Sequence, residues 1–210
     1  MMGIGHPVQI SPTYARDWGA GWIAAEPPFM QRASHALAHE GEVWLVDPVD
    51  GDGLDAILAP LGVVRGVIQL LDRHARDCAA LATRFGVPHI ETPTAAVPGA
   101  PFEAVPVVGR RSWRETALWW PAHRALVVAE ALGTTPFYLA PGAAVGVHAM
   151  LRLFPPRHLA RYPAEHLLPG HGAPLEGDAH AMIRTAIERS RRDIPGVVRS
   201  MVREWRARPG

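Results

Sequence analysis

Two short segments of the chain carry residue types that bind metals or transfer protons. The first, Asp72 to Asp77 (DRHARD), combines carboxylates with His74 and directly follows an apolar run. The second, Leu167 to Gly172 (LLPGHG), places His171 between two glycines, which is typical of a tight turn that presents an imidazole. Each segment alone is weak evidence, because an isolated histidine among charged neighbours is most often a solvated loop residue. Their meaning depends on the elements that position them.

The region around the first segment alternates between strand and helix patterns. Short apolar, β-branched runs are separated by stretches with apolar residues at helical spacing. This alternation is typical of an α/β sheet, in which ligands gather at the carboxyl ends of strands, and the DRHARD segment occupies such an end. The predicted elements are the strand Val43–Val46, the helix Leu54–Leu61, the strand Val63–Leu71, the helix Cys78–Phe85 and the strand Val87–Glu91.

The rest of the chain predicts strands first and helices later. No internal repeat or convincing linker divides it, so a single domain is expected. The predicted elements are the strand Phe102–Val108, a hairpin of Thr116–Trp120 and Ala125–Val128, a weak helix Val145–Leu153, a short helix Pro156–Tyr162, and the helices Asp178–Arg192 and Pro195–Arg206.

From about Ala33 to Ile194 the ordered set of DRHARD, the stretch Thr116 to Gly133, and the Gly-His-Gly turn resembles the metallo-β-lactamase superfamily. The resemblance implies an α/β fold that forms a four-layer αββα sandwich. Typical hydrolases of the superfamily hold two metal ions at one edge of it. On this basis residues 1–32 form an N-terminal segment joining the first sheet, residues 33–194 form the sandwich, and residues 195–210 form a C-terminal helix packed on it.

The resemblance also assigns candidate site residues by the superfamily's landmarks. The third landmark is placed only by spacing from Thr116, so Glu115 remains an alternative to Arg111 as the residue facing the pocket. The landmark positions hold Asp47 at the end of an early strand, Asp72, His74, Arg76 and Asp77 in the H-x-H-x-D-H motif, Arg111 at the third histidine, Glu130 at the metal-bridging aspartate, and His171 in the Gly-His-Gly turn.

Two of these positions, Arg76 and Arg111, depart from the superfamily in a way that changes the chemistry. A guanidinium keeps its positive charge and cannot ligate a metal. We therefore expect that the two-zinc centre is lost and that no cofactor is needed. The protein would then bind a small anionic ligand, with the two arginines as a fork for a carboxylate or phosphate, or a protein partner.

The alternative is a hydrolase of esters, lactones or phosphoesters with one Zn, Mn or Fe ion. Its ligands would be Asp72, His74, Glu130 and His171, a mixed nitrogen and oxygen set suited to such metals. Both an enzyme and a binding protein are consistent with the sequence. The other histidines in scattered contexts are interpreted as ordinary surface or satisfied residues: His35, His39, His89, His123, His148, His158, His166 and His180.

Composition limits the classes of partner and compartment. All 21 basic residues are arginine and the formal net charge is +1, as expected from a GC-rich, bacterial genome rather than a nucleic-acid surface. The segment from Arg184 to Arg208 contains eight arginines and three acidic residues. An amphipathic helix with an arginine-rich solvent face accounts for this excess of positive charge, so nucleic-acid binding is not expected. The single cysteine, Cys78, excludes an internal disulfide and a thiolate zinc site. Met1 to Phe29 does not show the basic start and apolar run of a signal peptide, which predicts a cytoplasmic protein without a membrane partner. The sequence is also compatible with a homo-oligomer.

Overall fold

The computed structural model describes residues 8–24 and 30–206, except for the side chains of residues 204–206. The parts of the predicted N-terminal segment at 1–7 and 25–29, and the last four residues of the predicted C-terminal helix, lie outside the described residues. The strands are β1 (Ile10–Arg16), β2 (Gly19–Ala24), β3 (Ala33–His39), β4 (Glu42–Val46), β5 (Val63–Gln69), β6 (His89–Glu91), β7 (Glu103–Arg110), β8 (Trp113–Trp120), β9 (Ala125–Val128), β10 (Leu132–Gly133), β11 (Gly146–Val147) and β12 (His166–Pro169).

Ten of the twelve described strands form two large sheets, and β10 and β11 form a separate antiparallel pair. The first has the order β1-β2-β3-β4-β5-β6, antiparallel from β1 to β4 and parallel from β4 to β6. The second has the order β12-β9-β8-β7, in which β12 runs parallel to β9. The predicted strand-helix-strand unit is confirmed by the parallel pair β4 and β5, and the predicted hairpin by the antiparallel pair β8 and β9.

Within the described part of the chain, four α-helices accompany the sheets, together with 3-10 helices at Pro121–His123, Ala149–Leu151 and Arg157–Arg161. The predicted helix over Val145–Leu153 is instead a short strand followed by a 3-10 turn, and the one over Pro156–Tyr162 is also a 3-10 helix. Gly146 lies in the first stretch, and Pro155 and Pro156 stand at the start of the second, so glycine flexibility and missing proline N–H donors weaken α-helical hydrogen bonding there. The α-helices are α1 (Leu54–Leu58), α2 (Cys78–Phe85), α3 (Ala179–Arg189) and α4 (Ile194–Arg206).

Apolar packing arranges these elements in four layers. One buried cluster joins the facing sides of the two sheets, including Trp44, Ile68 and Leu118, and extends to Ile183 of α3. A second cluster packs α1 and α2 against the outer side of the first sheet. The predicted αββα sandwich is therefore confirmed. None of the helices among the described residues is long and apolar enough to cross a membrane.

One edge of the sandwich collects the ends of four strands. Strands β4 and β5 are parallel, as are β9 and β12, so within each pair the carboxyl ends lie together. Isolated bridges join Leu71 to Glu115 and Arg32 to His171 at this edge. Backbone hydrogen bonds from Thr116 N–H to Leu70 and from Asp72 N–H to Arg114 reinforce it. The loops after these strands therefore converge.

Candidate metal centre

His74 lies in the loop after β5, and its ring is oriented by Asp47, the residue after β4. Asp47 is 2% exposed; its Oδ2 lies 2.8 Å from His74 Nδ1, and its Oδ1 accepts a 2.8 Å hydrogen bond from Leu70 N–H. The Asp47 backbone has a φ of 44°, a left-handed conformation that aspartate tolerates better than most residues. With Asp47 accepting from Nδ1–H, the Nε2 of His74 is directed into the site.

His171 follows β12 and is held in the same way by a backbone carbonyl. Its Nδ1 lies 2.8 Å from the carbonyl oxygen of Met30, which can only accept, so Nδ1 carries the proton and Nε2 presents a lone pair. The flanking glycines permit this turn. A Cβ on Gly170 would lie 2.5 Å from the Ala129 carbonyl oxygen, and Gly172 has a φ of 94°. The predicted tight turn presenting an imidazole is confirmed.

Glu130 comes two residues after β9 and completes the group. Its Oε2 accepts a 2.8 Å hydrogen bond from the Arg73 guanidinium, which stacks 4.4 Å from the Trp113 ring. Its backbone N–H donates to Oε1 of Glu115, which is buried. These contacts leave Glu130 Oε1 directed toward the two imidazoles.

The three ligand atoms form a compact triangle. His74 Nε2 lies 3.2 Å from His171 Nε2 and 3.4 Å from Glu130 Oε1, and His171 Nε2 lies 3.9 Å from the same oxygen. A tetrahedral zinc ion with bonds of about 2.0–2.1 Å separates its ligands by about 3.3 Å. The spacing therefore matches a metal-binding set of two histidines and one carboxylate.

The three groups of the triangle differ in the charge that their surroundings favour. Burial, the Arg76 guanidinium and His74 lower the pKa of His171 to about 3, so this imidazole is neutral. Burial and Arg76 also act to lower the pKa of His74, but Asp47 and Glu130 outweigh them and raise it. Burial is likewise outweighed at Glu130, where the hydrogen bond and charge of His74 lower the carboxyl pKa to about 2. His74 is therefore the imidazole of the pair whose charged form the neighbouring carboxylates favour.

Arg76 is half-buried beside this group, but it bonds to the backbone rather than to carboxylates. Its guanidinium donates to the carbonyl oxygens of Ala33, Asp47 (2.6 Å) and Gly170 (2.8 Å). Among the residues that the structure describes, the Arg76 guanidinium is therefore hydrogen-bonded to carbonyl oxygens and forms no ion pair with a carboxylate. Its charge nevertheless acts on both site histidines, whose pKa values it lowers.

Three further predicted residues lie away from the triangle. Asp72 accepts a 3.0 Å hydrogen bond from Arg114 N–H, and Asp77 accepts a 2.9 Å bond from Asp50 N–H, so both carboxylates stabilise loops. Arg111 is exposed in the turn beyond the last β7–β8 pair and does not line the site. Glu115, the alternative, is buried beside Glu130 because β8 meets Leu71 at the site edge.

Sequence reasoning missed two residues of the site. His148 is buried; its Nδ1 accepts from Met150 N–H, so Nε2 carries the proton, 3.9 Å from Glu130 Oε2. Tyr138 is buried, with its ring stacked on His171 at 6.1 Å between centroids. Neither belongs to a recognisable motif, and both come from loops whose position depends on β10 and β11.

Comparison with known proteins identifies the fold. No protein-family model matches the chain, and no curated protein is similar to it in sequence. The DIM-1 metallo-β-lactamase exposed to ceftazidime superposes with a TM-score of 0.57 at 13% identity, covering 87% of this chain and 98% of that chain. A metallo-β-lactamase from Pontibacter korlensis gives 0.58 at 13% identity over 86% and 99%. The Flv1 flavodiiron core from Synechocystis sp. PCC6803 gives 0.54 at 14% identity over 88% and 61%.

These neighbours show that the chain has the metallo-β-lactamase fold, as the sequence predicted. Structures with this fold include metallo-β-lactamases and a flavodiiron core. The expectation that no cofactor is needed has no support in the geometry. The alternative of a single ion fits the triangle of His74, Glu130 and His171, with Asp72 excluded from the set.

Proposed function

We propose that this chain is a metal-dependent hydrolase of ester, lactone or phosphoester bonds, with one divalent ion held by His74, Glu130 and His171. One observation supports the proposal above all others. Three potential ligand atoms, two of them on imidazoles whose opposite nitrogens are fixed by Asp47 and the Met30 carbonyl, converge at ligand–ligand spacing. Two histidines and a glutamate form a known catalytic zinc set with an open position for substrate.

Arg76 favours one ion rather than two. It stands at a superfamily ligand position, and its guanidinium is fixed by three backbone carbonyls next to both histidines. A permanent positive charge there opposes a second divalent cation and supplies no ligand. The site is therefore proposed as mononuclear.

The residues around the proposed ion would have distinct roles. An ion bound there supplies a Lewis acid and a more acidic water at neutral pH. Asp47 orients His74 and balances the positive charge of the site. Arg73 holds the outer oxygen of Glu130 and is 43% exposed, so part of its guanidinium would be available to an anionic group of a substrate. This arrangement suits a substrate with a carboxylate or phosphate group and keeps the predicted preference for anionic ligands, on Arg73 rather than Arg111.

The proposal is tested by titrating metal-stripped protein separately with Zn²⁺, Mn²⁺ and Fe²⁺. We expect one equivalent to bind, and His171→Gln to abolish binding. His180→Gln is the matched control, because His180 Nδ1 also bonds a carbonyl oxygen, that of Tyr162 at 2.8 Å, but lies outside the triangle.

Activity is measured next on p-nitrophenyl acetate, γ-butyrolactone and bis(p-nitrophenyl) phosphate. Hydrolysis of at least one should require the added metal and disappear in His171→Gln. If no metal binds stoichiometrically, or if hydrolysis continues unchanged after metal removal, the proposal is contradicted. The hypothesis of a metal-free site for anions would then be favoured.

A further inference from the structure

Tyr138 is a fully buried tyrosine whose hydroxyl lacks a hydrogen-bond partner among the described residues. A buried hydroxyl normally bonds to a protein group or water, because leaving it unpaired costs free energy. Such an orphan beside a candidate catalytic centre requires an explanation in terms of what the site binds.

The position of Tyr138 is strongly constrained by its neighbours. Its carbonyl oxygen accepts a 2.6 Å hydrogen bond from the guanidinium of Arg152, which is 3% exposed. Gly133 leaves room for the ring, since a Cβ there would lie 2.6 Å from two ring carbons. A Cβ on Gly146 would lie 1.9 Å from the Tyr138 carbonyl oxygen. A buried arginine and two glycines thus fix a side chain whose polar end is unpaired.

The ring lies against the candidate metal centre. It stacks on His171 at an interplanar angle of 25° and meets the His148 ring edge-on at 5.7 Å. A tyrosine hydroxyl carries its proton at neutral pH, so it is available as a donor.

We infer that the Tyr138 hydroxyl is a preorganised hydrogen-bond donor for the substrate oxygen that gains negative charge when the ester, lactone or phosphoester bond is attacked. The inference rests on the proposed function and adds a catalytic residue to it. The tyrosine keeps its proton throughout; it donates a hydrogen bond that is stronger to the charged oxygen than to the uncharged one.

The experiment compares Tyr138→Phe with Tyr14→Phe. Both variants lose only a phenol oxygen, but the Tyr14 hydroxyl lies 3.3 Å from His35 Nδ1 and has a partner. Urea denaturation of the metal-free proteins comes first. We expect an equal or higher midpoint for Tyr138→Phe, because no bond is lost, and a lower midpoint for Tyr14→Phe.

Function is then measured on metal-loaded proteins of equal metal content. Tyr138→Phe should lower kcat about 100-fold for whichever probe ester or phosphodiester is hydrolysed, with little change in KM. It should also weaken binding of inorganic phosphate, a tetrahedral oxyanion, whereas Tyr14→Phe should match the unmodified protein in both measurements.

Two results would overturn the inference. One is a midpoint for Tyr138→Phe that falls as far as that of Tyr14→Phe, since the hydroxyl would then have a structural partner. The other is an equal affinity of Tyr138→Phe and the unmodified protein for inorganic phosphate, which includes the case in which neither protein binds it. Failure of the proposed function is distinguishable, because it appears as absent metal uptake by the unmodified chain, and the midpoint and phosphate comparisons still decide the role of Tyr138.

Discussion

Replacing Asp47 by asparagine tests whether the His74 imidazole is prepared for a metal by its buried partner. The carboxylate accepts two hydrogen bonds of 2.8 Å, from His74 Nδ1–H and from Leu70 N–H. An amide of the same shape has only one acceptor oxygen. In Asp47→Asn one of the two donors must therefore face an NH₂ group, and the negative charge next to the site is lost.

The size of the effect follows from these contacts. Loss of a carboxylate that orients a metal-binding histidine typically lowers metal affinity about 10- to 100-fold, or about 1.4–2.7 kcal/mol. The unsatisfied buried donor should lower the free energy of unfolding by about 1–3 kcal/mol in the metal-free protein. Both losses are expected together, because one carboxylate serves the fold through Leu70 and the site through His74.

Metal affinity is measured by competition with a chromogenic chelator, and stability by urea denaturation. Asp77→Asn is the control. Asp77 accepts one backbone hydrogen bond, from Asp50 N–H, and an asparagine oxygen can accept it equally well. Unchanged zinc affinity in Asp47→Asn, or an equal loss in Asp77→Asn, would refute the reasoning.

Three further predictions concern charge, pH and backbone conformation. Arg76→Gln should lower the free energy of unfolding by about 1.5–3 kcal/mol, because charged hydrogen bonds to carbonyls are lost. The same substitution should tighten zinc binding in the chelator assay, because a repelling positive charge is removed. Weaker zinc binding would contradict this role of Arg76. Burial lowers the pKa of His35 from 6.5 to about 4. Between these two pH values, His35 is therefore protonated mainly in the unfolded chain and neutral in the folded chain. The free energy of unfolding should therefore fall by about 3 kcal/mol from this residue as the pH drops from 6.5 to 4, and His35→Gln should flatten urea midpoints over that interval. Gly172→Ala should destabilise the fold by about 1–3 kcal/mol more than Gly177→Ala. Both glycines have positive φ, but only at Gly172 would a Cβ lie 2.3 Å from Thr134 Oγ1; equal urea midpoints would show that the turn relaxes freely.

Much of the fold follows from local patterns, whereas the candidate site residues came from the resemblance. The β4–α1–β5 unit, α2 and the β8–β9 hairpin were all predicted, because strand and helix periodicities and turn residues act over a few positions. His74, Glu130 and His171 were also predicted, through the order of landmarks in the resemblance. Arg111 was misplaced because spacing along a strand does not reveal where its hairpin turns.

Partners from distant parts of the chain could not be predicted. His148 and Tyr138 reach the site through short strands and 3-10 turns that have no periodicity of their own. The use of Arg76 to bind carbonyls, rather than carboxylates, depends on where the backbones of Ala33 and Gly170 end up.

The amino-acid sequence by itself determined which side chains can carry the chemistry: two imidazoles, a glutamate, and an arginine that is unable to bind a metal. The tertiary structure alone decided that His74 and His171, 97 residues apart, face each other with their outer nitrogens fixed. The reason is physical. Secondary structure depends on neighbours within a turn or two, whereas a metal site needs parallel strands of two packed sheets to end at one edge, and burial of the whole core sets that register.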